Sequence, residues 1–333
     1  MDPLPHYSDL PRVAGLPSSW GLWGDAGTDR LGCLNLLTPE RVVDAATLVR
    51  RGAVFPLNWS MGLPDPPLFG RDRLVHEVTG GDESIGHDDI LDRWNTQSSS
   101  QWDGFRHIRN TAARTESPGT GHYGGVPDRE HGIDHWARRG IVGRAVLCDI
   151  GRFRESQGRA LRHDTPDVIG PDEITQCLAA QGSAVREGDV LLMRTGWTAW
   201  YEQQSAGVRE ALAQPGGLAA PGLAPGERTA EVLWDLHIAA IGTDTPAVEV
   251  WPLGSHLEPD EVEAVRSDPR RSHEVFVHTL LLSMLGLPLG ELWDLDALAA
   301  DCAEDGRFDC LFVSAPLNLP AGVASPPNAL AVK

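Results

Sequence analysis

The sequence predicts an α/β fold with a mixed sheet flanked by helices, and three observations carry that prediction. Beyond residue 140, short apolar runs rich in β-branched residues alternate with segments of helical period. The 333 residues supply enough apolar material for a substantial core. No internal repeat or low-complexity stretch points to a solenoid or an array.

Taken in order, residues 1–30 are rich in Pro, Gly and Trp and read as an extended N-terminal arm lying over a body, within one domain spanning residues 1–333. A helix starts with Thr38 as N-cap and Pro39 at its first position and runs through Val42, Val43, Ala46 and Leu48 to Gly52. Residues 53–57 form a strand. Residues 62–125 are loop-rich, and long ordered loops inside a compact domain tend to be functional. After them come strand 145–150, helix 172–180, strand 189–194, helix 228–236 and strand 238–241. This rhythm implies a mixed sheet with crossover helices. A long helix over 271–285, a short one over 295–302 and a last strand at 310–314 complete the series. Residues 214–226 read as a loop insertion, because the same rhythm continues on both sides.

Composition narrows the partners. Twenty-eight basic against forty-seven acidic side chains give a net charge of −19, which repels a polyphosphate backbone and an anionic membrane surface. A small-molecule substrate is expected, with neither nucleic acid nor membrane as partner. The five cysteines (Cys33, Cys148, Cys177, Cys302, Cys310) are odd in number, scattered and never in a Cys-x-x-Cys pair, which argues for a reducing cytoplasm. The first residues lack a basic segment followed by an apolar run, so no export signal is expected.

Two clusters carry chemistry. In Gln101-Trp102-Asp103-Gly104-Phe105-Arg106-His107 a carboxylate precedes an imidazole by four residues, in a stretch too polar for core. Such a pair ligates a divalent ion or orients a general base, while an Asp-capped turn beside a surface His is the bland alternative. The second cluster is His273, Glu274 and His278, with Glu291 beyond. Histidines five apart on a helix point about 140° apart, so this is no His-Glu-x-x-His site, and His278, among leucines, is the inward one. Either a core histidine or a ligand fits that position.

These blocks, together with Gly188-Asp189-Val190-Leu191-Leu192-Met193-Arg194-Thr195-Gly196-Trp197, Gly242-Thr243-Asp244-Thr245 and Ala315-Pro316-Leu317-Asn318, resemble the cyclase family typified by bacterial kynurenine formamidase and including isatin hydrolase-like enzymes. Its motif His-x-Gly-Thr-His-x-Asp-x-Pro-x-His aligns with the segment from Gln97 to His107. The downstream family block aligns with His278 and Leu287-Pro288-Leu289-Gly290-Glu291. The resemblance implies a swivelling β/β/α cyclase-type domain, a homodimer or homotetramer, Asp103 and His107 as catalytic residues, and Asp103, His278 and Glu291 as metal ligands.

This chain departs from the family where the motif has metal-binding histidines, which are Gln97 and Gln101 here. An amide oxygen is a harder, weaker donor than imidazole, so the expectation is one divalent ion, Mn or Zn, with Gln101 as an additional ligand, or no metal at all. Gln97, Trp102, Phe105, His122 and Tyr123 are the expected substrate contacts. Eleven tryptophans, including Trp20, Trp23, Trp94, Trp102 and Trp136 near the arm and motif, would suit an aromatic substrate, though packing explains most of them. The leading expectation is a metal-dependent hydrolase of a non-peptide amide, cyclic amide or lactone of a small metabolite, with His107 as general acid/base. The alternatives are a lyase or cyclase closing a ring or dehydrating in a biosynthetic pathway, and a ligand-binding relative without catalysis. Asp244 reads as an orienting group or an Asx turn, and His87-Asp88-Asp89 as a loop cap.

Overall fold

The computed structural model describes residues 4–25, 27–81, 84–116 and 121–333. Residues 1–3 of the expected arm lie outside the described residues. The centre is a nine-stranded mixed sheet. Its strands in chain order are β1 (Val54–Pro56), β2 (Gln101–Asp103), β3 (Ile141–Asp149), β4 (Val190–Arg194), β5 (Ala240–Thr243), β6 (Leu289–Glu291), β7 (Asp309–Ser314), β8 (Ala324–Ser325) and β9 (Ala329–Val332). Their spatial order is β8-β2-β6-β5-β4-β3-β7-β9-β1. Strands β3, β4, β5 and β6 are mutually parallel, and every pairing outside that block is antiparallel.

The sequence patterns follow from this layout. Parallel strands covered on both faces need continuous apolar runs, and β4 and β5 are buried nearly throughout. Strand β7 lies outside the parallel block and alternates between buried and part-buried residues. Helices Pro39–Ala46 and Pro171–Ala180 pack against β3. Thr38 caps the first of these by accepting from Arg41 N, as expected, although regular helix stops at Ala46. The arm lies on its own chain: Ser19 N donates to Met284 O at 3.0 Å and Trp20 Nε1 to Ser283 O at 2.7 Å.

Two expectations need correction. Residues 271–285 do not form one long helix; a 3-10 segment Pro269–Glu274 is followed by a separate short helix His278–Leu281. Val277, Leu280, Leu281, Leu282, Met284 and Leu285 are all buried, so this run must bury its whole circumference instead of the single stripe an amphipathic helix offers. The angular argument about His273 and His278 therefore lapses, although His278 is the inward one. His87 Nδ1 stands 3.2 Å from Thr79 O across the loop, but among the described residues Asp88 and Asp89 are strand residues that cap no loop. They stand on an exposed hairpin, Val75–Thr79 with Asp88–Asp92, where Asp89 accepts from or pairs with His76 at 2.7 Å.

The face of the sheet behind the motif is a tryptophan layer. Gly242 and Gly290 are register partners on β5 and β6, and the Trp293 ring lies over both, so closely that an added Cβ would come within 2.9 and 2.6 Å of it. Trp102 meets Trp293 edge-on with centroids 4.7 Å apart, and Phe312 stacks on Trp293 at 5.8 Å. Gly290→Ala is expected to lower stability by about 1–3 kcal/mol through overpacking. Gly207→Ala, inside helix Ala206–Ala213, is expected to be neutral or slightly stabilising. Urea denaturation of both variants checks this, and an unaltered midpoint for Gly290→Ala contradicts the packing account.

Candidate metal centre and its cavity

Strands β2 and β6 run antiparallel with Gln101 opposite Glu291, Trp102 opposite Gly290 and Asp103 opposite Leu289. Side chains alternate along a strand, so Gln101 and Asp103 share one face with Glu291 while Trp102 turns to the tryptophan layer. The turn that follows brings His107 back towards Asp103, closed by His107 N donating to Gly104 O at 2.9 Å. Gly104 is required there, because a Cβ would stand 2.6 Å from Val323 O.

His278, at the start of its short helix, completes the group. Its Nε2 lies 3.1 Å from Glu291 Oε1 and 3.7 Å from Asp103 Oδ2. Its Nδ1 meets both oxygens of Glu249, at 2.8 and 3.0 Å. All four residues are buried. Burial works to lower the His278 pKa, but Glu249, Asp103 and Glu291 outweigh it and hold it well above the ordinary imidazole value. Burial, with the Asp103 charge beside it, pushes the Glu291 carboxyl up to about 6. Burial also opposes ionisation of Asp103, yet His107, His278 and Arg71 together keep its carboxyl below the usual range.

Glu249 escaped the sequence reading. Its signal is a lone carboxylate between Val248 and Val250, all three of them buried, a setting that needs a specific partner. The arrangement is the carboxylate–histidine pair that fixes a metal-binding imidazole and its tautomer.

The two glutamines are spent as donors. Gln97 Nε2 donates to Asp103 Oδ1 at 2.6 Å and stands 3.0 Å from His107 Nδ1, and Gln101 Nε2 donates to Glu291 Oε2 at 2.6 Å. The Asp103 contact assigns the amide orientation of Gln97, since a flipped amide would set oxygen against oxygen. His107 Nδ1 therefore accepts from Gln97, and the neutral ring carries its proton on Nε2. Burial lowers the His107 pKa, more than the Asp103 charge raises it, which favours that neutral ring.

A cavity of about 190 Å³ opens on this group, lined by His107, His278 and Glu291 together with Arg71, Phe69 and Trp251 and closed by Ile108, Pro246, Ala247 and Phe276. Larger cavities beside the exposed hairpin and at the ends of β3 and β4 contain none of the Asp103 group. The expected substrate contacts need correction here. Trp102 is buried in the tryptophan layer, Phe105 packs on Tyr123 and Trp136 at 4.9 and 5.1 Å, and Tyr123 donates its hydroxyl to Asp29 at 2.9 Å. His122 is buried too, and none of these four lines the cavity. Gln97 stays at the site as a partner of Asp103 and His107. Phe69, Trp251 and Phe276 supply the aromatic walls instead, from segments far from the motif in sequence.

Asp244 ties the site to its neighbours. It accepts from Thr195 N, Thr195 Oγ1 and Gly196 N at 2.6–2.8 Å, fixing the end of β5 against the start of helix Trp197–Glu202.

The residues present fit a divalent cation. One ligand atom each from Asp103, His278 and Glu291 lies within 4.8 Å of the others. Asp103 Oδ2 and Gln101 Oε1 are buried acceptors without a hydrogen-bond partner, which a cation would satisfy. Two carboxylates, one imidazole and a spare amide oxygen suit manganese or zinc.

Residues 59–250 match the Cyclase family model. No curated protein matches the chain in sequence. A solved structure described as a novel cyclase is similar at 29% identity and TM-score 0.75, over 95% of this chain and 99% of that one. Isatin hydrolase A from Labrenzia aggregata, bound to benzyl benzoate, shares the fold at 18% identity and TM-score 0.54, over 88% of this chain and 97% of that one. Isatin hydrolase A from Ralstonia solanacearum does so at 16% identity and TM-score 0.55, over 89% and 98%.

If Glu249 orients His278 for a cation, Glu249→Gln should weaken Mn²⁺ or Zn²⁺ binding by about 10- to 100-fold. Titration calorimetry on the folded variant measures this, and an affinity equal to that of the unsubstituted protein contradicts the assignment.

Proposed function

Because the chain belongs to the Cyclase family, we propose that it is a metal-dependent hydrolase that opens a non-peptide amide, cyclic amide or lactone of a small, aromatic metabolite. The observation that carries this reading is the buried group of Asp103, His278 and Glu291, the last two of which line a cavity together with His107. A divalent ion held by these three, with Gln101 Oε1 as a further donor, supplies Lewis-acid polarisation of a carbonyl and eases ionisation of water.

The chain's own groups divide the remaining work. Glu249 keeps His278 Nδ1 occupied and so leaves Nε2 directed at Asp103 and Glu291. Gln97 holds His107 Nδ1, so the mobile proton is at Nε2. When an acyl carbon–nitrogen or carbon–oxygen bond breaks, the departing atom takes a proton given up by the attacking water, and His107 Nε2–H is the group suited to donate a hydrogen bond to that atom. Phe69, Trp251 and Phe276 hold a flat ring and keep bulk water out.

A second reading keeps the fold and exchanges hydrolysis for ring closure or dehydration, without metal. It is favoured by Gln97 and Gln101, which replace imidazole donors and whose amide hydrogens are committed to carboxylates. The proposal also includes a cytoplasmic homodimer or homotetramer. Support for association comes from the hairpin at 75–92, where Val75, Val78, Ile90 and Leu91 are exposed; among the described residues no helix is long and apolar enough to cross a membrane.

Turnover of a panel of aryl formamides, cyclic amides and lactones in ¹⁸O water separates the readings. Hydrolysis places one solvent oxygen in the product, and His107→Ala should lower kcat by about 10²- to 10⁴-fold. Label-free product formed at an undiminished rate contradicts the hydrolase.

A further inference from the structure

Arg71 lines the cavity, and among the described residues no carboxylate closes upon its charge. Three other inward-turned arginines behave differently. Arg144 pairs with Asp189 at 2.5 Å, Arg154 with Glu173 at 2.6 Å and Asp167 at 2.7 Å, and Arg194 with Asp149 at 2.9 Å as well as Asp296. Arg71 spends Nη1 on a backbone acceptor, Gln97 O, and has no ion pair among the described residues. Burial lowers its pKa, although the charges of Asp103 and Glu291 act to raise it. Those two carboxylates bond instead to Gln97 and to Gln101 and His278, and neither forms an ion pair with Arg71. A half-buried guanidinium with unspent donors and no counter-ion is a seat for an anion.

Its surroundings define which anion. The guanidinium lies over the Phe69 ring, 5.1 Å from the centroid, and Phe69 meets Trp251 edge-on at 5.0 Å. Phe276 stacks on His278 with centroids 4.6 Å apart and planes 18° apart. Stacking and the bond to Gln97 O fix the plane of the guanidinium and leave its other edge available for a two-point contact with a planar oxyanion. The cavity, at about 190 Å³, exceeds the roughly 150 Å³ that suffices to admit benzene.

We infer that Arg71 is a carboxylate seat that recognises an aryl carboxylate, positioned by Phe69 and Gln97. The inference rests on the hydrolase reading for its place in the reaction. When water opens a neutral cyclic amide or lactone, the acyl C–N or C–O bond breaks, a C–O bond forms from water, and the departing atom keeps one proton. The new acid releases the other proton, so one negative charge appears that was absent from the substrate. With a divalent ion held there, the three carboxylates Asp103, Glu249 and Glu291 still leave one net negative charge that repels the product anion, and Arg71 is the group that receives it. Arg71 is thus a specificity residue for the charged form of the ligand, distinct from the hydrogen-bond donor His107.

Binding tests this without turnover. Benzoate and its neutral isostere benzamide are titrated into the full chain, with quenching of tryptophan fluorescence and calorimetry as readouts. Benzoate should bind saturably at about millimolar concentration, with benzamide at least tenfold weaker. Arg71→Gln should weaken benzoate about 10- to 100-fold and leave benzamide unchanged, Arg71→Lys should recover part of the loss, and Arg73→Gln, whose side chain is 63% exposed and paired with Asp65, should have no effect. Equal binding of the two probes, absence of saturable benzoate binding, or full benzoate affinity in Arg71→Gln overturns the seat. Should Arg71→Gln not fold, the probe comparison on the unsubstituted chain and on Arg71→Lys decides. A label-free product in the ¹⁸O experiment would refute hydrolysis and leave these titrations unaltered, so the two failures are separable.

Discussion

Three carboxylates, from Asp103, Glu249 and Glu291, are buried together with one imidazole. Isolated buried charges of one sign are expensive by several kcal/mol each, so this group exists only because positive charge and N–H donors are built around it. His278 is the hub, with a carboxylate on each ring nitrogen. Gln97, Gln101 and the backbone N–H of Val248, which donates to Glu291 Oε1 at 3.1 Å, take up the remaining oxygens except Asp103 Oδ2. The rest of the architecture serves to keep these groups in place. β2 must pair with β6 in one register, and two facing glycines must admit the Trp293 ring behind them. A proton on His278 and a divalent cation at its Nε2 are then alternatives for the same task, since cation binding displaces the proton.

The two glutamines change the character of this centre. An imidazole at either position would offer a lone pair to a metal, whereas an amide offers hydrogen to a carboxylate and leaves an oxygen over. At Gln101 that oxygen is buried and unpartnered, so the residue retains one weak donor. At Gln97 the amide bridges Asp103 and His107 and thereby decides which nitrogen of His107 holds the proton. The proposal of a single cation with a hydrogen-bond-donating histidine beside it rests on these two glutamines.

Much of the fold was legible because periodicity is local. The uninterrupted runs of β4 and β5 and the cap at Thr38 read directly, and Asp103, His107, His278 and Glu291 converge as the motifs imply. What failed depended on tertiary facts. Trp102 reads as a substrate wall only while the motif reads as loop; with 101–103 a strand, alternation alone sends it to the opposite face from Asp103. The 271–285 run has helical composition, but burial on all sides broke it in two. Glu249 and Arg71 stand outside both motifs, and only the folded chain sets them against His278 and the cavity. The aromatic walls Phe69, Trp251 and Phe276 were equally invisible, being scattered over the chain.

The central claim is that Asp103, His278 and Glu291 form one cation site. Crystals grown with Mn²⁺ and measured for anomalous scattering test it most directly. The account predicts a single strong peak bounded by Asp103, His278 and Glu291. A well-ordered structure with all three side chains in place and no peak between them, or with the cation elsewhere, contradicts it.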